Sequence, residues 1–223
     1  MKSAATKIPL GLKLAYTAFV AIFIPSYWIA YGPTNFLYFC DVAIFVTLIA
    51  MWRESALLAS AAAVGILLPQ VLWVADFGLR LVGLAPTGMT AYMFDPNIAA
   101  FYRGLSLFHG WLPFLIVYLV WNLGYEAKGL IVWTLMAEAL LLVSYLFLPA
   151  PNNTARVAGE TNAPVNVNYV YGLTDTAPQT FMPELAWLAL LMVGLPCLIY
   201  FPTHLILKKW RALPQSSVAQ ALN

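Results

Sequence analysis

Six apolar stretches follow one another along the chain, at about 12–30, 36–52, 56–81, 98–123, 130–148 and 185–207. A run of about 20 apolar residues spans, as a helix, the roughly 30 Å of hydrocarbon in a bilayer. Charged residues make up 9% of the 223-residue chain and apolar types 62%, whereas about a quarter of a soluble domain is charged. So few charges cannot cover a water-facing surface, which excludes a soluble globular protein. The expected fold class is all-α: a single-domain, polytopic membrane bundle of six transmembrane helices.

The first stretch is longer than the apolar region of a signal peptide, and no small-residue cleavage pattern follows it. Tyr31-Gly32-Pro33 reads as a turn into the second span, so the first is expected to be a retained helix. Basic residues set the orientation. With six crossings, Lys2, Lys7, Lys13, Arg53, Lys128, Lys208, Lys209 and Arg211 fall on one side, and Arg80, Arg103 and Arg156 on the other. Both termini are therefore expected to be cytoplasmic, with extracytoplasmic loops at about 82–97 and 149–183. A bacterial inner (plasma) membrane is the expected location. In the second loop, residues 165–172 alternate apolar and polar side chains, as a short extended segment or a surface cap would.

Several partners are disfavoured. The 11 Lys and Arg form no run dense enough to track phosphates, which argues against nucleic acid. Cys40 and Cys197, the two cysteines, both lie in apolar segments, so neither a disulfide framework nor a zinc site is indicated. The two histidines sit at opposite expected depths, which disfavours a shared metal or haem. No cofactor is expected, and the immediate partners are membrane lipids.

Ionisable groups inside a membrane are costly, so each calls for a reason. The second stretch carries Cys40 and Asp41. The third carries Gln70, Trp73, Asp76, Phe77 and Arg80 at three- and four-residue steps, hence on one helix face. The fourth carries Arg103, Ser106 and His109, and the fifth Glu138. On the expected topology Asp41, Asp76, Arg103 and His109 share the outer half and can meet in a polar cavity. Asp41 with Arg103, or Asp76 with Arg80, can equally be ion pairs that only fix helix packing. Glu138 reads either as a satisfied core residue or as a cavity residue. His204 falls at the cytoplasmic end, beside Lys208, and reads as interfacial. Trp28, Tyr31, Trp52 and Trp210 read as interface anchors. His109, mid-span, can accept or relay a proton if a partner faces it, and otherwise serves packing. The small residues 59–63 with Gly65 suit either an oligomer face or tight packing within the bundle.

Three places carry a resemblance: Phe39-Cys40-Asp41-Val42-Ala43, Leu107-Phe108-His109-Gly110, and Asn166-Val167-Asn168-Tyr169-Val170-Tyr171-Gly172. In order and spacing the region from Phe36 to Leu188 resembles the YwaF-like six-span membrane proteins, which include a eukaryotic transmembrane acyltransferase branch. The resemblance implies a cysteine nucleophile at Cys40 and a histidine base at His109. Tyr38 stands where the family usually has a histidine, Asp41 replaces a serine, and Phe108 replaces a small polar residue. Asp41 is then available to orient and charge His109, as a triad acid does.

Two functions follow as expectations. In the first, an acyl hydrolase or acyltransferase, Cys40 attacks a lipid ester, His109 moves the proton with help from Asp41, and Asn166, Asn168 and Tyr169 close over the site and stabilise the oxyanion. In the second, a non-catalytic accessory, solute-binding or proton-conducting protein, Asp41, Asp76, Arg103 and His109 form a binding or relay site.

Overall fold

The computed structural model describes residues 7–84, 87–151, 163–174 and 177–212, in which every regular element is helical. Helix α1 is Leu10–Tyr31, α2 Phe39–Arg53, α3 Ala56–Leu81, α4 Ala100–Ser106, α5 Phe108–Leu123, α6 Gly129–Phe147 and α7 Glu184–Leu195. A π-helical turn at Pro196–Tyr200 joins α7 to α8, Phe201–Ala212. Lys2, Arg156 and residues 152–162 and 175–176 of the 149–183 loop lie outside the described residues.

Among the described residues, five helical stretches are long and apolar enough to cross a membrane: Leu10–Tyr31, Ala56–Leu81, Ala100–Leu123, Gly129–Phe147 and Glu184–Arg211. Helix α2 has 15 residues, about 22 Å at 1.5 Å per residue, which is shorter than the hydrocarbon. It starts three residues later than the apolar pattern alone suggests. Gly32, at φ 78°, and Pro33 open a 3₁₀ turn over Pro33–Leu37, which uses up the start of the apolar run. The Phe39 amide, one of the free donors of the new helix, is then taken by the Asn168 side chain at 3.1 Å.

Hydrogen bonds at the two ends of the bundle give the directions of the helices. At one end, Lys13 near the start of α1 pairs with Glu54 just after α2. There too the Ser60 hydroxyl, early in α3, accepts from the Glu126 amide before α6, and the Tyr125 hydroxyl meets His204 of α8. At the other end, Tyr27 late in α1 meets Ser106 of α4, and the loop before α4 folds onto Asp76 of α3. Helix α2 therefore runs back from the far end of α1 to its near end. Lys7, Lys13, Arg53, Lys128, Lys208, Lys209 and Arg211 all stand at or near the first end, and Arg80 and Arg103 toward the second.

Helix α3 is the centre, packing against α2, α5, α6 and α8. Small residues make that possible. Ala59, Ala61, Ala62 and Ala63 are wholly buried, and the Trp133 indole lies so close over Gly65 that a Cβ there would sit 1.7 Å from Cε2. Gly129 comes equally near the backbone of Ser60 and Ala61, where a Cβ would stand at 2.8 Å. The small-residue stripe thus serves packing within the bundle. Large apolar side chains such as Leu135, Phe147, Val193 and Leu198 point outward, as lipid-facing residues do.

Two irregularities interrupt long apolar runs. At Leu107, ψ falls to −5°, and the Gly110 amide bonds the Leu107 carbonyl at 2.9 Å, so the carbonyl of Ser106 is left for another donor. In the last span, Pro196 and Pro202 have no N–H to give, and a proline ring crowds the carbonyl four residues back. The chain answers with the π turn, in which the Phe201 amide reaches the Pro196 carbonyl. Thr203 gives its hydroxyl to Ile199 O at 2.7 Å.

Candidate functional site

The start of α2 gathers polar side chains that its own short turn cannot satisfy. Asp41 lies in the first turn and is buried, where a carboxylate meets the positive end of the helix dipole. Asn35, from the preceding 3₁₀ turn, donates its Nδ2 to Asp41 Oδ2 at 2.6 Å. The Cys40 thiol points to the other carboxylate oxygen, Sγ to Oδ1 at 3.7 Å.

Around this carboxylate stand hydroxyls from other helices. Tyr27 of α1 and Ser106 of α4 join their oxygens at 2.6 Å, and Tyr27 is within electrostatic reach of Asp41. Tyr92, from the loop over α3, accepts from Trp73 Nε1 at 3.2 Å. Burial pushes the Tyr92 phenol well above its ordinary range, and the neighbouring Cys40 and Asp41 push the same way. Trp73 in turn stacks on His109, with ring centroids 4.8 Å apart.

His109 owes its setting to the break before α5. The Ser106 carbonyl freed there lies 2.8 Å from His109 Nδ1. A carbonyl can only accept, so Nδ1 carries the proton and the lone pair of the neutral ring is on Nε2. Cys40 and His109 thus occupy one neighbourhood through Asp41, Tyr92, Ser106 and Trp73, but no hydrogen bond joins them.

The other expected residues have different settings. Asp76 accepts four hydrogen bonds from the loop, from the Thr87 amide and hydroxyl (3.2 and 2.7 Å) and the Thr90 amide and hydroxyl (3.0 and 2.7 Å). Arg80 lies instead over the Phe94 ring, at 5.6 Å. Arg103 gives Nη1 to Met93 O at 3.2 Å, and its Nε is buried without a partner among the described residues. Among the described residues the one ion pair is Lys13–Glu54, so neither Asp41 with Arg103 nor Asp76 with Arg80 forms one. His204 stands at the far end, 2.6 Å from the Tyr125 hydroxyl, apart from this cluster.

The loop residues Asn166, Asn168 and Tyr169 all adopt left-handed backbone, with φ of 53°, 58° and 60°. Asparagine tolerates that conformation well. Asn166 gives Nδ2 to the carbonyls of Gly172 and Thr174 and accepts from the Tyr171 amide. Asn168 gives Nδ2 to Leu37 O at 2.9 Å and to Ser144 Oγ at 3.3 Å, while its Oδ1 caps Phe39. The Tyr169 carbonyl accepts from Trp187 Nε1 at 2.8 Å. These side-chain amides are spent on folding the loop against α2 and α6.

Asn35, Tyr27 and Tyr92 belong to the cluster without having been singled out from the sequence. Tyrosines near helix ends look like interface anchors, which conceals those that turn inward. For Asn35 the available signal is its place in a Pro-opened turn six residues before an intramembrane acid. Among the described residues no three His, Cys, Asp or Glu side chains are grouped to hold a metal ion. Comparisons with protein-family models, with curated proteins and with solved structures find no match for this chain.

Proposed function

We propose that the chain is a six-crossing integral membrane protein of a bacterial inner membrane, with both termini cytoplasmic, lipids as its immediate partners, and a non-catalytic proton-relay site around Asp41 in the outer half. The observation that carries this reading is the setting of Asp41: a buried carboxylate, tied to Asn35 and Cys40, with the hydroxyls of Tyr27, Ser106 and Tyr92 about it. Hydroxyls can accept and donate in turn, so a row of them beside a carboxylate passes a proton without a charged intermediate in the hydrocarbon. His109, with Nε2 as its basic atom, extends the row. Helix α2 serves as the sixth crossing because it connects the two ends of the bundle, and the loops at its ends can lie at membrane depth where they are covered by protein. The test is proton flux into liposomes that hold the purified protein and a pH-sensitive dye. Asp41→Asn is expected to abolish the flux. Flux in the parent no faster than in protein-free liposomes removes the relay.

Acyl transfer is the second reading, and one observation favours it: the Nδ1–H of His109 is anchored on a carbonyl, which leaves Nε2 as a general base requires. It needs Cys40 to leave Asp41 for the histidine. A lipid-ester activity probe that labels the parent and fails on Cys40→Ala and His109→Ala supports this reading. Labelling that survives both substitutions ends it.

A further inference from the structure

A second polar site lies deeper in the membrane and uses none of the residues above. Glu138 is midway along α6, ten residues into a helix of 19, so about 14 Å of helix separates it from either end. Its Oε2 is buried and has no hydrogen-bond partner among the described residues. On the same helix the Trp133 indole is wholly buried and meets the Tyr200 ring edge-on, with ring centroids 6.5 Å apart. Tyr200, inside the π turn that packs against α6, lies within electrostatic reach of Glu138, and such a turn often marks functional positions in helices.

What can satisfy Glu138 follows from its neighbours. Helix α6 packs against α3, α7, the π turn and the turn at Val167–Tyr169. On α3 the charged residues Asp76 and Arg80 are at the outer end, on α7 the only one is Glu184 in its first turn, and the last turn offers only Tyr169. The π turn supplies Cys197, which is exposed, and Tyr200, which is within electrostatic reach of the carboxyl. Among the described residues no cation pairs with Glu138. An ionised carboxylate without a counter-charge or donors is far costlier in hydrocarbon than the neutral acid. Leu130, Thr134 and Glu138 recur at four-residue steps along one face of α6. The first two, with Pro196, Cys197 and Phe201, line an apolar groove of about 320 Å³.

We propose that Glu138 is a proton-binding carboxyl in mid-membrane, approached from the lipid along the groove between α6 and the π turn. The proposal is independent of the Asp41 relay, since the two sites share no residue. Membranes holding the full chain are treated with dicyclohexylcarbodiimide, a lipid-soluble reagent, and the adduct is located by peptide mass spectrometry. A protonated carboxyl passes its proton to a carbodiimide nitrogen while its oxygen bonds the central carbon, and an acyl shift to nitrogen leaves a stable N-acylurea. The adduct is expected on Glu138, falling roughly tenfold per pH unit once the acid ionises. Glu138→Gln is expected to remove it and to leave labelling of other carboxyls unchanged. A water-soluble carbodiimide is expected to spare Glu138. An intact chain unmodified at Glu138, labelling that does not change with pH, or protection by sodium ions would overturn the proposal. Mapping on the unaltered chain decides the matter even where the variant fails to fold.

Discussion

Glu54 shows how much one half-buried acid can organise. It sits in left-handed backbone after α2, at φ 50°, and accepts from Lys13 Nζ at 2.8 Å and from the amides of Lys7 and Ile8 at 3.0 and 3.2 Å. The Lys13 bond first, then the Lys7 amide, hold its carboxyl down to about 2 from an ordinary 4.5. A folded value below the unfolded one stabilises the native state above the unfolded value, and that gain fades as the pH falls from about 4.5 towards 2. Glu54→Gln is therefore expected to lower the melting temperature of the detergent-solubilised protein at neutral pH, with the gap closing in acid. An equal gap in both conditions contradicts the assignment. Asn168 offers a second test at this scale. Asn168→Gly keeps the left-handed backbone but loses the cap and both donors, at about 1–2 kcal/mol in denaturant unfolding. Asn168→Ala is expected to lose roughly 1 kcal/mol more, because a Cβ is strained there. Equal losses for the two would mean that backbone strain plays no part.

At the scale of the element, the contact of α3 with α6 depends on Gly65 lying under Trp133. Gly65→Ala puts a methyl into the indole, and overpacking of this kind costs about 1–3 kcal/mol. Combining it with Trp133→Leu should recover part of that loss in thermal unfolding, whereas strictly additive losses would show that the two positions do not touch. Helices of this kind are easy to read from a sequence. Long apolar runs and rare charges mark α1, α3, α5, α6 and the last span, because hydrocarbon leaves the backbone few alternatives. The break at Leu107, the π turn and the delayed start of α2 are harder. They arise from carbonyls and amides that change partners, and from a capping asparagine more than a hundred residues away, none of which leaves a periodic signal. The candidate site was legible in the same uneven way. Cys40, Asp41, Ser106 and His109 stand out as polar residues among apolar ones, while Tyr27 and Tyr92 resemble ordinary interface aromatics. Asp76 and Arg103 also stand out, yet the loop over α3 takes up all four hydrogen bonds of Asp76 and one donor of Arg103.

For the whole molecule, the proposed topology puts Asn97 and Ala127 on opposite sides of the membrane. Cysteines introduced at Asn97 and Ala127 test it. Asn97→Cys is expected to react with a membrane-impermeant maleimide in intact cells, and Ala127→Cys only after permeabilisation. The reverse pattern would invert the orientation, and labelling of both in intact cells would remove the six-crossing arrangement.

The link from Asn168 back to Leu37 and Phe39 spans 131 and 129 residues of chain. During synthesis the second helix emerges from the ribosome long before its cap exists. The Phe39 amide must wait, wetted or borrowed by another group, until residue 168 has been made and folded back. Truncation anywhere before that residue would thus leave an early helix unfinished, and a quality-control protease could recognise the incomplete chain by that frayed end.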